Sequence, residues 1–236
     1  MTARIVPDDG VGRALAIEAL RRGELVALPT DTVYGIGVAL GASGGIERLF
    51  AAKGRAPDKG IVLLLADHHQ ASEVADPTPA FRVLAAAFWP GALTLIARRR
   101  DDVALPAALT GGSTTIGLRL PDHDAPRALA EELGPLPVTS ANRSGEPDAT
   151  TAAAVLAGLG VASDLTIVLD GGVARAGVPS SVVDCSVDPP RLLRAGALSR
   201  EVLSAVLEDA GLPPAAARQL GPGWPGPGQT PPAAAR

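Results

Sequence analysis

The stretch Leu28-Pro29-Thr30-Asp31-Thr32-Val33-Tyr34-Gly35-Ile36-Gly37 decides how this chain is read. It joins an apolar, strand-like run at 25–28 to a turn crowded with hydroxyls, one carboxylate and two glycines. Thr and Asp beside a strand end readily close a turn through side-chain-to-backbone hydrogen bonds. The same groups can equally face a ligand. On this segment alone both readings stand, and the rest of the chain has to separate them.

Working outward, residues 11–22 carry a helical pattern that Gly23 stops. Downstream, Ile46, Leu49, Phe50 and Lys53 follow helical spacing, so that helix delivers Lys53-Gly54-Arg55 at its C-terminal end. Apolar runs at 61–66, 93–97, 115–120, 137–141, 165–169, 181–184 and 191–193 read as strands. Helical patterns fill 79–88, 125–133 and 149–159. A last helix is capped by Ser199 and ended by Gly211. Strands that alternate with helix-sized connections predict one α/β domain with a mixed sheet over 1–212. Residues 213–236 hold seven of the 22 prolines without an apolar period. That composition buries too little surface to offset chain ordering, which predicts a disordered tail.

Composition narrows the function classes. The apolar content of 47% supports a core built from aliphatic residues, since aromatics make up only 3%. No apolar run approaches the ~18 residues of a membrane span, and the N-terminus lacks the order of a signal peptide. A single cysteine, Cys185, excludes an internal disulfide framework and fits a reducing cytoplasm. His68, His69 and His123 give no metal-ligand spacing with it, so no residue is assigned to a metal. The net charge of −4 argues against a broad electrostatic grip on nucleic acid. Of 21 basic residues only Lys53 and Lys59 are lysine, and they flank Arg55.

There is no Walker loop, no nucleophile elbow, and Gly35-Ile36-Gly37 lacks the third glycine of a dinucleotide fingerprint. What remains is a set of polar clusters at strand ends. Thr115 and Arg119 lie four apart on one strand and hence on one face. Ser140 and Asn142 alternate likewise, Gly177-Val178-Pro179-Ser180-Ser181 is a turn with two hydroxyls, and Arg194 stands beside Gly196. Together these predict a site for a small anionic ligand bearing hydroxyls, held by Arg forks and by amide or hydroxyl hydrogen bonds. Arg98-Arg99-Arg100 reads as a solvated strand end.

In this order, the segments resemble the YrdC-like family of threonylcarbamoyl-AMP synthases in its short, single-domain form. The matching pieces are Pro29 to Gly35, Lys53-Gly54-Arg55, Trp89 to Thr94, Thr115 to Pro121, Ser140 to Gly145, Ser180 to Asp184 and Leu193 to Gly196. The resemblance implies a twisted mixed sheet bent around a concave cavity. It also implies an enzyme that joins L-threonine, bicarbonate and ATP into threonylcarbamoyl-adenylate with release of pyrophosphate. The product passes to a tRNA-modifying transferase complex. By the match, Thr32, Arg119, Ser140 and Ser180 hold threonine. Lys53, Arg55, Lys59, Thr115, Asn142, Thr150 and Arg194 hold ATP, with Lys53 and Arg55 stabilising the transferring phosphoryl group and Mg2+ bridging the phosphates. The chain departs from the family in the run Lys59-Gly60-Ile61-Val62-Leu63-Leu64, where many relatives carry an ATP-binding Asn, then Pro-Leu, and a threonine-contacting histidine at the place of Leu64, and in Pro179 before the two serines. The alternatives are an RNA-binding module on the same concave surface, or a paralogue without activity. A weak RNA contact is compatible with the synthase reading as well.

Overall fold

Residues 25–28 are buried at every position, and successive side chains enter different cores. Leu25 and Ala27 join one apolar cluster, Val26 and Leu28 a second. The two-residue period of a strand sends neighbours to opposite faces, so this strand is covered on both sides. The structure is a computed structural model that describes residues 3–54, 61–160 and 164–217.

In chain order the first elements are β1 (Arg4–Pro7), α1 (Gly10–Arg21), β2 (Leu25–Leu28), β3 (Gly35–Gly37), α2 (Gly45–Lys53) and β4 (Val62–Leu64). Then come α3 (His69–Val74), β5 (Ala75–Asp76), α4 (Pro79–Phe88), β6 (Leu93–Arg99), α5 (Ala107–Thr110), β7 (Thr115–Arg119) and α6 (Asp124–Leu133). The chain continues through β8 (Leu136–Ser140), α7 (Ala152–Leu159), β9 (Leu165–Asp170), β10 (Ser181–Asp184), β11 (Arg191–Arg194), α8 (Arg200–Asp209) and β12 (Ala216–Ala217). The strands form one mixed sheet in the order β1-β9-β2-β3-β8-β4-β7-β6-β10-β11-β12, with β5 pairing β6. β9 lies between β1 and β2 and is parallel to both, whereas β3 runs antiparallel to β2 and to β8. The expected α/β architecture with a mixed sheet is what the chain adopts.

Helix ends follow local chemistry. The Asp9 carboxylate accepts the Gly12 N–H at 2.8 Å to start α1, and the Ser199 hydroxyl caps α8 through Val202. Thr151 caps α7, so that helix begins at Ala152, three residues later than the composition suggests. Gly35-Ile36-Gly37, read from sequence as part of a turn, is a strand. Its glycines allow close approach to β8: a Cβ on Gly35 would lie 2.5 Å from Val138 Cγ1, and one on Gly37 2.8 Å from the Pro137 carbonyl oxygen. The described chain also runs to Ala217, five residues into the stretch expected to be a tail, and β12 pairs with β11 there. Residues 218–236 lie outside the described residues.

α1 and α6 cover one face of the sheet over β1, β9, β2, β8 and β4, through Ala16, Leu20, Ala125 and Leu129. α2, α4, α7 and α8 supply Leu49, Leu84, Val155 and Leu203 to the larger cluster. Beyond β4 the first face turns from aliphatic to polar, with Thr115, Gly117 and Arg119 on β7 and Thr94 on β6. Among the described residues no helix is long and apolar enough to cross a membrane.

Candidate active site

A cavity of about 500 Å³ occupies that polar part of the sheet, a size suited to a small molecule. Alternation along the strands builds its floor. Val62 and Leu64 of β4, Thr94 and Ile96 of β6, Thr115, Gly117 and Arg119 of β7, and Val138 and Ser140 of β8 all line it. The intervening Leu63, Leu95 and Leu118 are buried in the core beneath. Thr30, Thr32, Ser180, Val182 and Arg194 complete the lining.

Arg119 is the most committed charged group. Only 6% of it is exposed. Its guanidinium donates to Asp31 Oδ1 at 2.7 Å, to Thr32 Oγ1 at 2.8 Å and, through Nε, to the Gly91 carbonyl at 3.0 Å. The Thr30 hydroxyl bonds Thr32 Oγ1 at 2.9 Å and donates to the Val33 carbonyl, so the opening motif folds into a self-closed turn around this fork. Both readings of that motif therefore hold: its hydroxyls close the turn, and two of them face the cavity. Gly91 is fixed by its N–H to the Leu120 carbonyl, and Trp89 Nε1 bonds the Leu93 carbonyl at 2.7 Å. Burial pushes the Arg119 guanidinium down from its ordinary value; Asp31 opposes that shift, and the nearby Arg194 adds to it.

Arg194 reaches back across β10. Its Nε donates to the Ser180 carbonyl at 3.0 Å and its terminal nitrogen to Ser180 Oγ at 3.1 Å, while Ser180 Oγ lies 2.8 Å from Thr94 Oγ1. The residue as a whole has exposed surface, yet its guanidinium sits in the concavity, where desolvation pulls its pKa down and Asp148 opposes. Two desolvated guanidiniums thus share one cavity, and an anion between them would restore what desolvation and mutual repulsion cost.

Lys53 ends α2 against the turn after β8. The buried ammonium donates to the carbonyl of Ser140, to the Asn142 carbonyl at 2.8 Å and to Asn142 Oδ1 at 3.1 Å. Ser140 Oγ donates to the same Oδ1 at 2.6 Å. Lys53, Ser140 and Asn142 therefore form one cluster, with Ser140 the member that lines the cavity.

Of the residues predicted for the site, Thr32, Thr115, Arg119, Ser140, Ser180 and Arg194 line this one cavity. Lys53 and Asn142 stand behind Ser140. Thr150 is not among the lining residues; its carbonyl accepts the Ala174 N–H at 2.9 Å. Arg55 and Lys59 lie outside the described residues. Leu64, at the family's histidine position, is an apolar part of the floor beside Arg119 in register. Three contributors were missed from sequence. Asp31 was visible in the opening motif, but nothing local points to a partner 88 positions away. Thr94 belongs to a matching segment without a stated role, and Asp148 carried no signal. The basic run at 98–100 is partly spent on ion pairs, Arg98 with Asp101 and Arg100 with Asp102.

Known proteins resemble this chain in sequence and fold. The model of the Sua5/YciO/YrdC family, described as "Telomere recombination", matches residues 18–196. A Bacillus subtilis protein named threonylcarbamoyl-AMP synthase is 38% identical over 202 residues, covering 85% of this chain and 57% of that protein. A Chromohalobacter salexigens protein of the same name is 37% identical over 171 residues, covering 72% of this chain and 90% of its own length. The crystal structure of Pyrococcus abyssi Sua5 complexed with L-threonine superposes with a TM-score of 0.79 at 34% identity, covering 87% of this chain and 60% of that one. The chain thus spans less than two thirds of the Bacillus and Pyrococcus proteins. With the family model matched over most of its length and a relative nearly covered end to end, the chain belongs to the Sua5/YciO/YrdC family.

Proposed function

We propose that the protein is an L-threonylcarbamoyladenylate synthase, forming threonylcarbamoyl-AMP and pyrophosphate from L-threonine, bicarbonate and ATP. The observation that carries the reading is the pair of desolvated guanidiniums, Arg119 and Arg194, in one hydroxyl-lined cavity. Such a cavity suits an amino-acid carboxylate at one end and phosphates at the other. The names of the relatives and the threonine bound to the Pyrococcus protein support the choice of substrates.

In this reading Thr32, Arg119, Ser140 and Ser180 hold threonine. Thr115 and Arg194 meet the nucleotide, together with Arg55, Lys59, Asn142 and Thr150. The threonine amine adds to carbon dioxide from bicarbonate, making the C–N bond and shedding a proton. A carbamate oxygen then bonds the α-phosphorus in line as the bond to pyrophosphate breaks. The protein supplies proximity and positive charge and forms no bond of its own to substrate. Lys53 acts on this centre by holding the turn at 140–142, and its charge lies one residue behind the cavity wall.

Mg2+ arrives with ATP. Among the described residues no group of three His, Cys, Asp or Glu side chains is placed to hold a metal. Asp148 is the only carboxylate among the described residues that line the cavity. That donor set fits a metal carried by the phosphates with at most one protein carboxylate, since Mg2+ keeps most of its own waters. When bound, it neutralises phosphate charge. The product is handed to a tRNA-modifying transferase complex, and the chain acts in the cytoplasm.

The test is pyrophosphate release from purified protein with ATP, Mg2+ and bicarbonate, with and without each amino acid. Release that depends on threonine and is lost in Lys53→Ala and Asn142→Ala is expected. Release indifferent to the amino acid, or none from folded protein, would end this reading.

A further inference from the structure

We infer that Thr94 is a positioning residue that sets the hydroxyl of Ser180 toward the amino-acid end of the cavity. For the identity of the ligand the inference rests on the synthase reading above. Ser180 is held at its main chain from two sides. Its carbonyl accepts from Arg194 Nε at 3.0 Å, and Gly196 approaches so closely that a Cβ there would lie 2.5 Å from the Ser180 carbonyl carbon. What remains free is the side-chain rotor and the direction of its one proton.

Proton accounting favours one direction. A serine hydroxyl has one proton and two lone pairs. One lone pair of Ser180 Oγ takes the Arg194 N–H at 3.1 Å. Thr94 Oγ1, at 2.8 Å, then has two ways to bond. If Ser180 donates to Thr94, the cavity meets a serine with only an acceptor to offer. If Thr94 donates, both lone pairs of Ser180 are occupied and its proton is left for the ligand. A cavity with two desolvated guanidiniums takes an anion, and an anion needs a donor, so the second arrangement is the one that serves binding. Thr94 is well placed to impose it. It is 2% exposed, its β-branched side chain is restricted in χ1, and its strand is locked in register with β10, Thr94 opposite Val182.

The test compares Thr94→Val, which keeps the shape and removes the hydroxyl, with Thr94→Ser, which keeps the hydroxyl, in the full chain. Pyrophosphate release gives KM for threonine and for ATP separately. Thr94→Val leaves Ser180 its proton but removes the bond that aims it, which predicts a threonine KM raised about three- to tenfold with the ATP KM within about twofold, and recovery in Thr94→Ser. The double variant Thr94→Val/Ser180→Ala should match Ser180→Ala alone, because both act through one hydroxyl. A threonine KM unchanged in Thr94→Val, equal rises in both KM values, no recovery in Thr94→Ser, or additive effects in the double variant would each overturn the inference. A parent protein without threonine-dependent release defeats the synthase reading instead. Calorimetric threonine affinity then replaces KM in the same comparison, and a parent that binds no threonine overturns both.

Discussion

Removing the Asp31 carboxylate tests the core of the site. The Asp31 and Arg119 side chains are 9% and 8% exposed, and their nearest charged atoms are 2.7 Å apart. At an effective dielectric constant of ~20, unit charges at that distance attract by about 6 kcal/mol. Desolvation offsets much of this, but only while both partners are present. Asp31→Ala leaves a buried guanidinium whose remaining partners, Thr32 Oγ1 and the Gly91 carbonyl, are neutral. Breaking a buried pair from one side typically costs about 3–5 kcal/mol. Since a domain of this size loses roughly 2–4 °C of Tm per kcal/mol, the melting point should fall by about 6–20 °C. Asp31→Asn keeps an amide oxygen for one of these hydrogen bonds and should lie at the low end. Urea denaturation with linear extrapolation measures the loss, and Asp31→Ala/Arg119→Met removes the orphaned charge, so its loss should be smaller than the sum of the two single variants. A loss below about 1 kcal/mol for Asp31→Ala would show that Arg119 is solvated and that the pair does not hold the site together.

Other perturbations probe separate features. His123 Nδ1 accepts the Ala125 N–H at 3.2 Å as the cap of α6, which requires an unprotonated Nδ1; burial, seconded by Arg175 and Arg13 against Asp8 and Asp124, pushes its pKa below the usual 6.5. The unfolded chain therefore takes the proton first, so this contribution is whole above pH 6.5 and is lost as pH falls through the lowered folded value. Urea midpoints measured from pH 7.5 to 5 should show a slope that flattens in His123→Asn, where the cap survives without the titration; an equal slope in both would contradict this. The thiol of Cys185 is pushed up to about 12, chiefly by burial and secondarily by Asp184, so a disulfide reagent at pH 8 should label native protein far more slowly than protein in urea. Equal labelling rates would mean that the strand end opens freely. Gly196→Ala would set a Cβ 2.3 Å from the Pro179 carbonyl oxygen, and backbone cannot yield as a side chain can. Threonine-dependent turnover should drop sharply with a stability loss of about 1–3 kcal/mol, and wild-type turnover would show that the Ser180 turn is not fixed by this contact.

Much of the architecture was legible because it rests on local periodicity. The strands expected at 93–97 and 115–120, observed at Leu93–Arg99 and Thr115–Arg119, and the helix after Ser199 follow from alternation and capping chemistry. The cavity floor was partly legible for the same reason: Thr115 and Arg119 are four apart, and a strand puts them on one side. What escaped depends on distant partners. Gly35 and Gly37 look like turn residues until β8 is seen lying across them. That Lys53 also bonds the 140–142 turn depends on acceptors that no local pattern reveals. The Arg119 fork is completed by Asp31 through a sheet arrangement that only the strand order discloses.

The strand order also governs how the chain can be assembled. β1 and β2 are joined by α1 yet do not pair with each other; each pairs with β9, which begins at Leu165. During synthesis from the N-terminus, β1 therefore waits without a partner until most of the domain has been made. The slot between β1 and β2 spans two strand spacings, roughly 9.6 Å, and its walls are unpaired backbone. Filling it closes a very long loop, which places this step among the slow, non-local events of folding. A chain interrupted before Leu165 would leave β1 unpaired, β6 without β10, and β2 with a fully apolar open edge for any extended segment nearby. The segment that fills this slot is thus also the one that shields the earliest-made strands from aggregation.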